Sequence, residues 1–281
     1  MAIKPRLTFK TFLLRVLLYL VLFIMAFLVL YPLFFMLMTS VKSSMDVIRN
    51  PFWLTGVHLG NYVTAWKIGR VAGYFMNSVI VSVSTLIFQV VVITLASYSL
   101  GKLRPWGHNI ILSCILMMMF VTTEMTTVPN YMLLNNLHLM GSRMCLILVY
   151  VATGLSMGTY ILTNFIRELP KELDDAALID GAGVFQIMTR IDLPLVLPAM
   201  STLVIFNFNG IWSEFYWALL TIRSDSYKTL PLGLINFQSQ FTANYGVLTA
   251  GLTILTVPVV IVYLFFSKQF IANISAGALK G

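Results

Sequence analysis

The residues best placed to do chemistry lie in one short acidic stretch, Leu169-Pro170-Lys171-Glu172-Leu173-Asp174-Asp175-Ala176-Ala177-Leu178-Ile179-Asp180-Gly181-Ala182, followed by Ile191-Asp192-Leu193-Pro194. Glu168, Glu172, Asp174, Asp175, Asp180 and Asp192 make up six of the ten acidic residues in a chain of net charge +8. Pro170 suits the first turn of a helix, and Glu172, Asp174 and Asp175 bring negative charge to the positive end of the helix dipole. Leu173, Ala176 and Ala177 recur at helical spacing, so the helix has an apolar side and an anionic side. Gly181 supplies a C-terminal stop, because glycine enters the left-handed region without steric cost. A second short helix is expected over about 184–193, ending before Pro194. The chemistry is that of protein docking: small alanines admit close approach, and carboxylates offer partners to basic groups.

Catalytic arrangements are missing from the sequence. No GxxxxGK[ST] phosphate loop occurs, so the chain cannot cradle ATP by that route. His58, His108 and His138 are far apart, and Cys114 and Cys145 have no metal-ligand or redox spacing. The remaining polar groups of interest sit inside apolar stretches. Asn207, Gly210, Glu214 and Trp217 fall at i, i+3, i+7 and i+10, giving one helical face an amide, a gap, a carboxylate and an indole. Such a face suits a sugar, whose hydroxyls need hydrogen-bond partners and whose ring lies flat on indole. Glu124 and Gln89 are further candidates, since ionisable groups within spans usually face a bundle interior or a water-filled cavity. Gln89 continues a stripe of Ser78, Ser82 and Thr85, which reads as helix packing or cavity wall.

The elements that must position these residues are membrane helices. The chain of 281 residues is 59% hydrophobic and 10% charged, whereas a soluble domain carries roughly 25% charged residues. Its mean hydropathy is +0.89. A spanning helix needs about 20 mostly apolar residues, and six stretches qualify: about 12–38, 75–100, 109–133, 143–166, 197–221 and 246–268. They lack the in-out alternation of barrel strands. The expected fold is all-α, six spans in one domain over 1–281, with a helix-turn-helix at about 168–195 between spans four and five.

The basic residues gather at span ends rather than in one patch, which argues against nucleic acid and for topology signals. A cytoplasmic N-terminus puts Lys4, Arg6, Lys10, Arg15, Lys102, Arg104, Arg167, Lys171, Arg190, Lys268 and Lys280 inside. Lys42, Arg49, Lys67, Arg70, Arg143, Arg223 and Lys228 are then outside, eleven against seven of the 18. Both ends and the acidic loop are therefore expected in the cytoplasm.

The acidic loop resembles the EAA loop of permease subunits in ATP-binding-cassette importers, with Asp175 where that family usually has Glu. The likeness continues in Phe206-Asn207-Phe208-Asn209-Gly210-Ile211-Trp212-Ser213-Glu214-Phe215, which is similar to the fifth-span motif of sugar-importer permeases, with Ser213 in place of the usual Asn. Thr229-Leu230-Pro231-Leu232-Gly233-Leu234, the tail Ser275-Ala276-Gly277-Ala278-Leu279-Lys280-Gly281 and Tyr74-Phe75-Met76-Asn77-Ser78 resemble further signatures of that group. Together these motifs resemble the smaller permease of the maltose-type carbohydrate importers, the MalG kind.

The resemblance implies a non-catalytic translocation subunit of an ATP-driven carbohydrate importer in a bacterial or archaeal cytoplasmic membrane. Its implied partners are a second, MalF-like permease, two copies of a MalK-like ATPase that bind ATP and Mg, an external solute-binding protein and a sugar. No cofactor is implied in this chain. Leu173, Asp175, Ala176, Ala177, Asp180, Gly181 and Ala182 would engage the ATPase. Alternatives are an importer permease for a non-sugar solute and a secondary transporter. The latter class commonly shows internal repeats and midplane charges, and this chain has no convincing repeat.

In a cysteine-free background, single cysteines at Ser44, Ser142 and Ser226 should label from outside, whereas Gly183→Cys should label only in permeabilised cells. Labelling at Gly183 in intact cells would reverse the topology.

Overall fold

The computed structural model of the chain describes residues 9–240 and 244–278. Lys4, Arg6, Lys280 and the tail from Leu279 lie outside the described residues. Helices account for nearly all of what is described, and no strand occurs there. Among the described residues, five helical runs are long and apolar enough to cross a membrane: Phe12–Ser40, Val71–Leu103, Arg143–Arg167, Val184–Trp212 and Tyr245–Phe265. A sixth arises if α5 (His108–Met118) and α6 (Thr123–Asn136), bent by 101°, count as one broken span. The other helices are α1 (Phe9–Ser40), α2 (Ser44–Arg49), α3 (Gly60–Lys67), α4 (Val71–Tyr98), α7 (Arg143–Arg167) and α8 (Lys171–Ile179). They continue with α9 (Val184–Ile187), α10 (Leu193–Trp212), α11 (Tyr216–Thr221), α12 (Leu230–Gln240) and α13 (Tyr245–Ala278).

The stretch expected as a third span, about 109–133, is bent after α5. Val121, Thr122 and Thr123 are β-branched and lose side-chain freedom in a helix. Thr122 adopts an extended conformation (φ −77°, ψ 157°) and starts α6 anew. The fifth span differs too. Instead of ending before Pro194, the helix runs from Val184 to Trp212 through a wide π turn at Met188–Asp192. Pro194 then falls in the first turn of α10, where its missing N–H is tolerated.

Two compact units are formed, Met1–Gly69 with Phe237–Ile254, and Arg70–Asn236 with Leu255–Gly281. In the first, the end of α1 is bound by polar contacts. Lys42 is fully buried, and its ammonium donates to the carbonyls of Asn50 at 3.0 Å and Pro51 at 2.8 Å. Asn61 Nδ2 donates to the carbonyls of Ser40 and Lys42, and Ser44 Oγ donates to Asn244 Oδ1. Asp46 accepts from Ser43 Oγ at 2.6 Å, which holds its carboxyl below the usual value.

The second unit is built on α4 against α7. Gly154 and Gly158, one helical turn apart on α7, receive Gln89 and Ile93, which have the same spacing on α4. A Cβ at Gly154 would overlap the Gln89 amide, and one at Gly158 would overlap the Ile93 tip. Small residues at this spacing let membrane helices approach closely. Gln89 Nε2 donates to the Tyr150 carbonyl at 2.7 Å, and Ser97 Oγ donates to the Thr159 carbonyl at 3.1 Å. The stripe of Ser78, Ser82, Thr85 and Gln89 is buried throughout, as packing requires.

At the other end of α4, the segment after α11 is bound to the helix start. Asn77 Nδ2 donates to the carbonyls of Ser226 and Lys228, and the Leu230 N–H donates to Ser78 Oγ. Asp225 receives the Tyr74 hydroxyl, Arg70 at 2.9 Å and Lys228 at 3.1 Å. Partial burial pushes its carboxyl up, but Lys228, Tyr74 and Arg70 together hold it below the ordinary value. Gly233 lies against the Tyr74 ring, where any Cβ would collide with ring carbons.

Gly154→Val should displace Gln89 and separate α4 from α7, an overpacking cost of about 1–3 kcal/mol or more. The expected result is a lower unfolding temperature in detergent and less protein in the membrane. Undiminished stability would mean that the two helices do not depend on this contact.

Candidate coupling surface and translocation path

The acidic stretch folds as the sequence predicts locally. Pro170 precedes α8, with Glu172 and Asp174 in its first turn. Gly181 has φ +80°, and the Ala182 N–H returns to the Ala177 carbonyl at 2.9 Å. The faces differ from expectation. Ala177 is 8% exposed and turns into its own chain together with half-buried Asp174. Leu173, Asp175, Ala176 and Asp180 are exposed, while Ala182 is half-buried. Ala177 therefore packs the helix against its own chain. Sequence reading missed the largest apolar groups here. Ile179 is 86% exposed, and Leu178, Val184 and Phe185 are exposed with it. The signal was available: four large apolar side chains flank a glycine stop in a charged connector.

Beneath α8 lies an ion cluster that topology arguments could not find. Lys102, in the π turn Ser99–Leu103 that ends α4, pairs with Asp174 on α8 and with Asp192 in the second π turn. The sequence treats Lys102 as a topology signal; the structure makes it a buried partner for two carboxylates.

The proposed fifth-span face is broken. The expected helix over 197–221 stops at Trp212, and Ser213–Phe215 separate it from α11. Glu214 explains the break. Its Oε1 accepts the Trp217 N–H at 2.8 Å, its Oε2 accepts the Ala218 N–H at 3.4 Å, and the Tyr150 hydroxyl donates to Oε2. The carboxylate thus satisfies the free N–H groups that start α11. Trp217 is buried in a cluster with Val81, Leu146 and Tyr150, so it presents no indole face to a cavity. Asn207 Nδ2 donates to Gln89 Oε1 at 3.0 Å, tying α10 to α4. Gln89 is 2% exposed, with both ends of its amide engaged. Gly210 is exposed and has open space where a side chain would project. Glu124 lies exposed in the first turn of α6, just beyond the bend. The four fifth-span residues do not form one continuous face.

Among the described residues, no group of three or more His, Cys, Asp or Glu side chains could hold a metal ion. Several apolar spans joined by internal polar ties define a membrane-embedded protein. The chain belongs to the family described as binding-protein-dependent transport system inner membrane component, which it matches over residues 5–275. Members of this family are the non-catalytic, membrane-spanning permeases of ABC transporters. Among its relatives, the probable ABC transporter permease protein YurM of Bacillus subtilis is 33% identical over 92% of this chain and 87% of its own length. The diacetylchitobiose uptake system permease protein NgcG of Streptomyces coelicolor is 32% identical over 90% of this chain and 84% of its own. A crystal structure of a bacterial ABC transporter involved in the import of the acidic polysaccharide alginate contains a chain of the same fold. Its TM-score is 0.84 at 20% identity, covering 95% of this chain and all of that one.

Glu214→Ala should remove the α11 cap, a loss of about 0.5–2 kcal/mol, and leave the Tyr150 hydroxyl without its acceptor. Glu214→Gln keeps an acceptor oxygen and should be intermediate in thermal unfolding. A Glu214→Ala protein of native stability with defective transport would assign the carboxylate to solute contact instead.

Proposed function

We propose that this chain is the permease half of a carbohydrate importer, a single transport domain over 1–281 with both ends in the cytoplasm. It would share its path with a second permease and take a sugar or oligosaccharide from an external binding protein. Two copies of a separate ATPase would bind the nucleotide and Mg. A bacterial or archaeal cytoplasmic membrane is the setting that fits such a machine. Support for carbohydrate comes from the named substrate of the diacetylchitobiose relative and from the sugar-type motifs at 206–215 and 229–234.

The observation that carries the coupling part is α8 itself. It is a short helix with Leu173, Asp175, Ala176 and Ile179 exposed, in a chain of an ATP-driven family with no phosphate loop of its own. We assign the ATPase contact to Leu173, Asp175, Ala176, Ile179 and Asp180, with Ala177, Gly181 and Ala182 setting the pose. On the solute side, exposed Gly210 is the best path-lining candidate, next to Asn207. Glu214, Trp217 and Gln89 would shape the path from behind.

Reconstitution in liposomes with the binding protein, the second permease and the ATPase tests the reading directly. Sugar uptake dependent on ATP and on all partners is the expected result; uptake driven by an ion gradient alone would overturn it. Within that system Asp175→Ala should weaken coupling only partially, since an exposed ion pair contributes about 0–1 kcal/mol. Gly181→Val should abolish transport while leaving the chain in the membrane, because a β-branched residue resists φ +80° and misaims α8. Normal transport by Gly181→Val would mean that α8 is not the coupling element.

A further inference from the structure

The cluster beneath α8 concentrates charge where little water reaches. The Lys102 side chain is 10% exposed, that of Asp174 is 18% and that of Asp192 is 2%. Asp192 Oδ1 lies 3.2 Å from the Lys102 ammonium, while the Asp174 contact is closer. Asp174 Oδ1 and Asp192 Oδ2 have no hydrogen-bond partner. One buried and one half-buried carboxylate therefore lean on one ammonium. A buried charge that loses its partner is strongly unfavourable, so the three groups hold one another in place.

Their positions in the chain give the cluster its meaning. Lys102 belongs to the π turn that ends α4, Asp192 to the π turn that opens α10, and Asp174 to α8. Such wide turns are frequent at functional sites. On α8 the inward groups are Asp174 and the small Ala177, three residues apart. Ala177 offers one methyl group, so the directional hold on the helix is the Asp174 carboxylate. Lys102 is itself fixed from behind. Gly101 packs on Ile166, Arg104 takes a left-handed φ of 47° while its Nε donates to the Gly101 carbonyl, and Arg167 donates to the Leu100 carbonyl. A tilt of α8 must either break the Lys102–Asp174 pair or carry the ends of α4 and α10 with it.

We propose that Lys102 is the positioning residue of the coupling helix, its ammonium joining α8 to the ends of two spans so that movement at the ATPase contact reaches both together. This rests on the reading of α8 as the ATPase contact. The test uses the full reconstituted importer. Lys102→Met combined with Asp174→Asn and Asp192→Asn removes all three charges and leaves no unpaired buried ion, so the fold is kept while the tie is cut. The ATPase should still co-purify, but stimulation of hydrolysis by sugar-loaded binding protein should fall about tenfold, within the usual range of coupling between sites. Lys102→Arg, which keeps the cation, should retain most of the stimulation. Ile179→Glu serves as the separate check on docking and should release the ATPase. Full stimulation in the neutral triple variant, with the ATPase released by Ile179→Glu, would overturn the tie alone. An importer that keeps its ATPase and its coupling in Ile179→Glu would overturn the docking reading on which the tie depends.

Discussion

A polar group inside a bilayer must find its hydrogen bonds within the protein, and the Gln89 amide is where this constraint organises the second unit. It donates to the backbone of α7 and accepts from Asn207 of α10, so one side chain holds three spans in register. It can reach α7 because Gly154 leaves room for it. A carbon at that position would remove the space and the hydrogen bond together. Polar pairs between membrane helices are individually modest in energy, and here their value lies in specificity. Lipid and leucine are equally apolar, so slipped arrangements of α4 on α7 are discriminated mainly by whether the amide is satisfied.

Charge is handled by the same rule at three levels. Lys42 is wrapped by carbonyls, Asp225 is surrounded by Arg70, Lys228 and Tyr74, and Asp174 and Asp192 share Lys102. The Asp225 and Lys102 clusters join segments distant in sequence at helix ends, whereas Lys42 draws the end of α1 to the carbonyls of Asn50 and Pro51 nearby in the chain. The centres of the spans are kept for amides and hydroxyls, and Glu214 sits where its two oxygens meet a helix start and a tyrosine.

The sequence was most informative where the governing physics is local. Hydropathy over about 20 residues marks a span whatever surrounds it, and a glycine followed by a new helical run marks a left-handed stop, as Gly181 does. It was least informative where a side chain competes with the backbone. The pattern from Asn207 to Trp217 reads as one helix, and only the Glu214 carboxylate, by capping Trp217 and Ala218, divides it in two. The inward turn of Ala177 and the burial of Lys42 depend on what lies behind them, so composition gave no sign of either. The close approach at Gly154 and Gly158 depends on Gln89 and Ile93 facing them, which the local sequence around the glycines does not name. Lys102 illustrates a basic residue near a span end whose ion pairs the position along the chain does not announce.

The ties between the start of α4 and the segment beyond α11 have a consequence for how the protein is made. Arg70 and Tyr74 meet Asp225 across 155 and 151 residues, and Ser78 meets Leu230 across 152. A ribosome adding about 5–20 residues per second needs roughly 8–30 s to cover that distance. During this interval Asn77 and Ser78 have left the ribosome without the carbonyls and the N–H that later satisfy them. The start of α4 must therefore stay hydrated or be shielded by the insertion machinery until the last fifth of the chain arrives. Assembly of that end is a closing step of biogenesis, and a ribosome stalled between residues 100 and 220 would leave an unfinished polar edge for membrane quality control to recognise.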